Sequence, residues 1–457
     1  MALKTLLLLL LLLTQACGLR TGTASRPAAS SLLPERALPV PPAHPGPPVK
    51  AEIRQENGHY RIYRGNQPYF IKGAVASHYY DRLAAYGGNS VRIGSGQQTQ
   101  ELLDEAYKHG LSATVGIRMG LERHGFDYND AAAVRKQLEE ARQTVLRFKD
   151  HPAVLIWGIG NELELDGANE KVWDAVNEVS KMIHALDPNH LTTTMTGGLS
   201  RKNVQLIKEK CPDLDLLAVN SYARLTKLPQ ELRDFGWVKP YIVSEWGPTG
   251  HWEVPSTGWT NGDQKENYVA IEETSTEKAK VYRQRYETAI LQDKEKCLGS
   301  YVFLWRQHQE RTHTWYGMFF ANGEETEAVE TMQYLWSGKW PENRAPRITA
   351  VRLDGKQARD KVFLLPGQAY PVQVEATDPN NDRLTYKWEV LPEGRNFGRG
   401  GDREDRPASL SGLVQAPDQP QTTLQAPAGP GPYRLFVYVY DGRNKVATAN
   451  IPFLVEP

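Results

Sequence analysis

Val154-Leu155-Ile156-Trp157-Gly158-Ile159-Gly160-Asn161-Glu162 is the stretch on which the fold turns. It is a short apolar run that stops abruptly at two polar residues, the pattern of a buried strand. On either side lie longer amphipathic segments. Ala131–Phe148 places Val134, Leu138, Ala141, Val145 and Phe148 at helical spacing, and Lys171–Leu186 follows the same rule. Outward in both directions the alternation repeats. Further strand candidates are Phe70–Ala76, Ser90–Ile93, Ala113–Ile117, Leu191–Met195, Leu216–Asn220, Tyr241–Ser244 and Ser300–Leu304. Further helix patterns cover Gln100–His109, Lys202–Lys210 and Glu277–Gln292. Alternating strand and helix implies parallel strands, and eight such units imply a closed (β/α)8 TIM barrel, class α/β, over residues 50–341. The alternative is a doubly wound open sheet, but no Gly-rich phosphate loop follows the first strand to support it.

The flanks differ in texture. After about residue 345 helical periodicity stops, and strand-like runs (Ala369–Ala376, Leu384–Val390, Tyr433–Tyr440) are split by Pro, Gly, Asn and Asp. Residues 345–457 therefore read as a small all-β sandwich. Before the barrel, residues 18–49 are Pro-rich, with six prolines between Pro39 and Pro48, and read as an extended linker. Residues 1–17 carry Lys4 and an unbroken Leu6–Leu13 run, too short to span a bilayer and suited to a signal peptide. Two processing readings stand. The run ending in Ala16-Cys17-Gly18 resembles a bacterial lipoprotein signal with Cys17 lipidated, although Thr14 stands where Leu is usual. Thr14-Gln15-Ala16 also suits an ordinary signal peptidase. The expectation is an exported protein, membrane-anchored through Cys17 and facing periplasm or cell surface, or otherwise secreted.

Composition narrows the partners. Lys+Arg and Asp+Glu number 54 each, so nothing in the net charge points to nucleic acid or an anionic membrane surface. A neutral, polar partner such as carbohydrate fits better. No Cys/His cluster has metal-ligand spacing, and neither metal nor cofactor is expected. Besides Cys17, Cys211 and Cys297 are either one disulfide or two buried thiols.

In a (β/α)8 barrel the reacting groups stand at the C-terminal ends of strands. The fourth strand ends in Asn161-Glu162 and the seventh in Glu245. Glycoside hydrolysis uses two such carboxyl groups, and retaining enzymes hold them about 5–5.5 Å apart. One carboxyl near another is harder to ionise, which assigns the acid to Glu162 and the nucleophile to Glu245. Arg92, ending the second strand, and Tyr222, past the sixth, are donors for Glu245, and Asn161 is a donor for a sugar 2-hydroxyl.

These residues sit in longer stretches that are similar to known enzymes. Phe70-Ile71-Lys72-Gly73, Gly88-Asn89-Ser90-Val91-Arg92, His151-Pro152 through Asn161-Glu162, Asn220-Ser221-Tyr222 and Lys239-Pro240 through Glu245-Trp246-Gly247 resemble, in order, strands of the glycoside hydrolase clan A barrel. The closest resemblance is to the catalytic barrel of family 2, which includes β-galactosidases, β-glucuronidases and β-mannosidases. It implies that Glu162 is acid/base, that Glu245 is nucleophile, and that Arg92, Asn161, Tyr222 and Trp305 line the site, Trp305 as the floor of the −1 subsite. A short hairpin-like segment, Ile53–Tyr69, stands where family 2 enzymes usually carry β-sandwich domains. Compact clan A β-glucanases and glucan transglycosylases are also similar. Ala376 through Trp388 resembles a turn and strand of PKD-like or cadherin-like immunoglobulin-fold modules, with Asp378 and Asp382 as calcium contacts or simply a polar turn.

Other strand-end residues carry weaker expectations. His78 after the first strand is a sugar contact or a loop histidine. Arg118, Glu122 and His124 share that ambiguity, and Glu164 reads as a loop residue. One of Trp246, Trp252 and Trp259 is expected to stack on a pyranose face, and His308, His313 and Trp315 are candidate subsite formers. The reading is a retaining glycoside hydrolase on β-linked glycosides or β-glycans. The alternatives are a β-glucan transglycosylase using the same residues and a non-catalytic carbohydrate-binding surface lipoprotein.

Overall fold

The computed structural model describes residues 45–94, 96, 99–260, 268–394, 397–398 and 401–456. The Leu6–Leu13 run, Cys17 and most of the Pro-rich segment lie outside the described residues. Eight parallel strands close into a barrel in chain order: Ile71–Val75, Ser90–Ile93, Ser112–Ile117, Val154–Asn161, Leu191–Gly197, Leu217–Asn220, Tyr241–Trp246 and Cys297–Val302. The last pairs with the first, Gly299 opposite Ile71. A Cβ at Gly299 would lie 2.3 Å from the Ile71 carbonyl oxygen, so this seam closes only around a glycine.

The helices Ala131–Phe148 and Lys171–Leu186 occupy the predicted spans. The helix expected from Glu277 starts earlier, at Ser275, because Thr274 and Glu277 form a reciprocal capping box; it gives way to a π turn at Tyr286–Ile290. The eighth strand stops at Val302, three residues before Trp305.

Where a hairpin was expected, three antiparallel strands, Ala51–Glu56, His59–Arg64 and Gln67–Tyr69, form a small sheet. The Ala51 N–H donates to the Asn189 carbonyl and the Tyr60 N–H to that of Glu295, both just ahead of barrel strands. Ile62 packs with Ile71, Leu155, Leu216 and Leu298. This sheet therefore caps the N-terminal end of the barrel and leaves the other end for a site.

The C-terminal region forms two sheets over one core that includes Leu353, Val372, Trp388, Val437 and Phe453. Strand Gly431–Tyr440 explains its own sequence. Leu435, Val437 and Val439 enter that core. Arg434, Phe436 and Tyr438, on the other face, are buried too, against the barrel. Arg434 donates to the Ala270 carbonyl at 2.8 Å, and Tyr438 bonds His313 at 2.6 Å. Buried Lys445–Glu325 and Asn450–Glu272 contacts tie the same face down. Barrel and sandwich belong to one compact unit.

Cys211 and Cys297 are two buried thiols, not a disulfide. Asp378 accepts the N–H groups of Asn380 and Asp382, which closes a polar turn, and the Asp441 carboxylate approaches the same turn. Among the described residues, no helix is long and apolar enough to cross a membrane.

Candidate active site

A cavity of about 920 Å³ opens at the C-terminal end of the barrel. Glu162 reaches it from a sharp exit. Gly160 and Glu162 both have positive φ, 72° and 51°, and the Glu162 N–H donates to the Met195 carbonyl at 2.8 Å. A left-handed non-glycine residue costs on the order of 1 kcal/mol or more, and such strain gathers at functional positions. Room for the side chain comes from Gly197, where a Cβ would stand 3.2 Å from Glu162 Cδ.

Glu245 stays within its strand and is gripped from two sides. Tyr222 Oη donates to Oε1 at 2.6 Å and Arg92 Nη1 to Oε2 at 3.0 Å. The buried Arg92 also donates to Asn161 Oδ1 at 2.6 Å. Asn220 Nδ2 donates to Glu162 Oε1 at 2.8 Å and to Asn161 Oδ1 at 3.1 Å, and its amide is oriented by the Ser244 hydroxyl at 2.8 Å. One guanidinium and two amides thus link the carboxyl groups into a continuous network.

Burial raises the Glu162 carboxyl above the usual carboxylate range, and the neighbouring Glu245 charge pushes the same way; the Asn220 bond opposes both. Burial, with the Glu245 charge beside it, also holds the Tyr222 phenol well above its ordinary value, so it remains a donor.

Five of the expected residues converge: Glu162, Glu245, Arg92, Asn161 and Tyr222. Three others do not line the cavity. His78 is exposed and bonds Ser77. Trp246 points into the helix layer against Tyr282 and Tyr286. It follows Glu245 in one strand, and side chains alternate faces, so the two cannot share the mouth. Trp305 is fully buried, packs on Trp336 and donates to the Tyr79 carbonyl. Phe303, nearer the strand end, lines the cavity where a tryptophan floor was expected.

Of the weaker expectations, Trp252, 59% exposed, stands at the mouth edge-on to Tyr222. Trp259 packs at a tilt against Phe363 instead. His308 lines the cavity and bonds Glu310 at 3.1 Å, whereas His313 and Trp315 are buried beneath it. Arg118, Glu122 and His124 do not line it, though Arg123 reaches the Glu162 carbonyl. Glu164 accepts the Gly197 N–H, and burial lifts its carboxyl to about 7. Asn220 is a site residue that the sequence reading did not single out, although it ends the strand Leu217–Asn220.

The chain resembles several known glycosidases. It is 24% identical over 189 residues to a probable mannan endo-1,4-β-mannosidase A-2 of Aspergillus terreus, a match covering 37% of this chain and 46% of that protein. It is 24% identical over 156 residues to mannan endo-1,4-β-mannosidase F of Aspergillus clavatus, covering 30% and 36%. The chain thus spans less than half the length of these relatives. Among solved structures, β-glucuronidase 2 of Bacteroides uniformis superposes with a TM-score of 0.49 at 14% identity, over 89% of this chain and 48% of that one. The family model for glycosyl hydrolases family 2, TIM barrel domain, matches residues 102–339, just over half of the chain. With the closed eight-stranded barrel around that span, the chain belongs to glycosyl hydrolase family 2 through its TIM barrel domain.

Proposed function

We propose that the protein is a retaining glycoside hydrolase acting on β-linked glycosides or β-glycans. The observation that carries the reading is the unequal treatment of two carboxyl groups in one network. Glu245 receives a guanidinium and a phenol, partners suited to an anion. Glu162 receives one amide in a buried place that favours its protonated form. In the first step Glu245 attacks the anomeric carbon while Glu162 protonates the departing oxygen. In the second, Glu162 takes a proton from water, which displaces Glu245 from the glycosyl-enzyme. The β-linkage agrees with the relatives named as mannan endo-1,4-β-mannosidases. The Leu6–Leu13 run and Cys17 support export with a lipid anchor at the N-terminus.

The test is the stereochemistry of the first product. Soluble protein is mixed with a panel of aryl β-glycosides and β-glucans, and the anomeric signals are followed by proton NMR. The β-anomer should form first. An α-anomer formed first would exclude double displacement. Products longer than the input would reassign the protein as a transglycosylase, and no turnover on any substrate would favour a binding protein.

A further inference from the structure

The cavity has a wall that the barrel does not build alone. Gly398 and Gly401, from the sandwich segment that follows strand Thr385–Pro392, line it together with His251, Trp252 and Arg311. Glu404 of the same segment is buried and anchors both sides. One carboxylate oxygen accepts the Arg311 N–H at 2.7 Å, and the other accepts the Gly398 N–H at 3.0 Å. Arg311 has a φ of 59°, a conformation that a non-glycine residue keeps only when its surroundings impose it. Its guanidinium lies 3.7 Å from the centroid of the Phe397 ring, also from the sandwich.

Arg311 is wired toward the reacting groups. Its Nε donates to His251 Nδ1 at 3.2 Å. A guanidinium has no acceptor, so His251 takes this bond at Nδ1 and carries its own proton on Nε2, 3.5 Å from Glu310. His251 packs edge-on against Trp252, which packs edge-on against Tyr222, the phenol on Glu245. Yet the buried Nη1 of Arg311 has no partner among the described residues. A buried donor without an acceptor is unfavourable, and this guanidinium belongs to a side chain that borders the cavity, where a ligand oxygen can meet it.

We propose that Arg311 binds substrate and determines specificity by donating from its guanidinium to an oxygen of the bound glycan, with Glu404 and Phe397 of the C-terminal sandwich as its positioning residues. This rests on reading the cavity as a glycoside site. It makes the sandwich part of that site and not a detachable binding module. The acceptor is a sugar hydroxyl or a sugar carboxylate.

The experiment uses the full soluble protein, its Arg311→Ala, Arg311→Lys and Glu404→Gln variants, and the Arg311→Ala/Glu404→Gln double variant. Substrates are p-nitrophenyl β-glucoside, β-mannoside and β-glucuronide. Arg311→Ala should raise KM about tenfold or more, as for loss of a charged hydrogen bond, with kcat changed less than about threefold. Glu404→Gln offers one acceptor where the carboxylate offered two, and should raise KM in the same direction by less. Adding it to Arg311→Ala should raise KM no further, since the two act as one unit; a Glu404 with a purely structural role would add its effect. Loss confined to the glucuronide identifies a carboxylate partner, and equal loss on all three a hydroxyl. KM within about twofold of the parent in Arg311→Ala, or in Arg311→Lys if the alanine variant does not fold, would overturn the proposal. If the parent turns over nothing, the hydrolase reading fails by itself, and saturation-transfer NMR with mannotetraose and glucuronate decides. Signal lost in the Arg311 variants supports the proposal; unchanged signal, or none in the parent, overturns it.

Discussion

The ends of the fourth and seventh strands carry the same side chain in opposite circumstances. Glu162 lies beyond its strand, in a left-handed turn, half-buried, with one amide donor and a carboxylate for a neighbour. Glu245 lies within its strand, with a guanidinium on one oxygen and a phenol on the other. Two identical groups thus stand in different surroundings, set by their donors and neighbouring charges and not by residue type.

The comparison breaks most sharply if the two are exchanged in an azide experiment. Glu245→Ala should lower kcat by about 10⁴-fold or more, the scale seen when an enzymatic nucleophile is removed. Azide should restore part of that rate and give a glycosyl azide of inverted configuration, because it attacks in place of the carboxylate. Glu162→Ala should keep its first step on substrates with good leaving groups. Azide should then intercept the glycosyl-enzyme and give the azide of retained configuration. Characterising both azides by NMR reads the assignment directly, and the reverse pairing would swap the two roles.

A smaller effect tests what holds Glu245. Tyr222→Phe removes one of its two donors and leaves Arg92. One donor lost from a charged group corresponds to roughly 10–10²-fold in kcat/KM. Asn220→Ala, acting on Glu162, should instead alter the pH dependence more than the rate at the optimum. Equal effects of both variants on rate and pH profile would erase the asymmetry.

Much of this was legible before any coordinates. The barrel showed because each buried strand is a short apolar run and each helix is amphipathic, local patterns that survive without tertiary knowledge. Glu162, Glu245, Arg92, Asn161 and Tyr222 showed because strand ends face the mouth. The misreadings have physical causes. Strand alternation beside Glu245 turns Trp246 away from the mouth. Trp305 does stand at the strand end, its backbone N–H on the Val75 carbonyl, but its side chain turns into the core against Trp336, a choice of face that the sequence does not carry. The cavity wall at Gly398 and Gly401 has no local sign in the sequence, since Arg311 and the Glu404 that anchors it lie 93 residues apart.

The smallest expected effect concerns pH, and it sharpens the comparison on the Glu162 side. An acid must be protonated to act, so kcat/KM should fall on the alkaline side as pH rises through the raised Glu162 value. Glu164 complicates that limb. Its carboxyl, lifted by burial to about 7, feels the Glu162 charge, and the influence is mutual. Glu164→Gln removes one negative charge near Glu162. It should therefore ease ionisation of Glu162 and move the falling limb to lower pH, with the rate at the optimum changed less than about threefold. If the limb instead disappears, the titrating group was Glu164 itself. If it does not move, the two carboxyls are electrostatically independent, and burial with the Glu245 charge sets the acid alone.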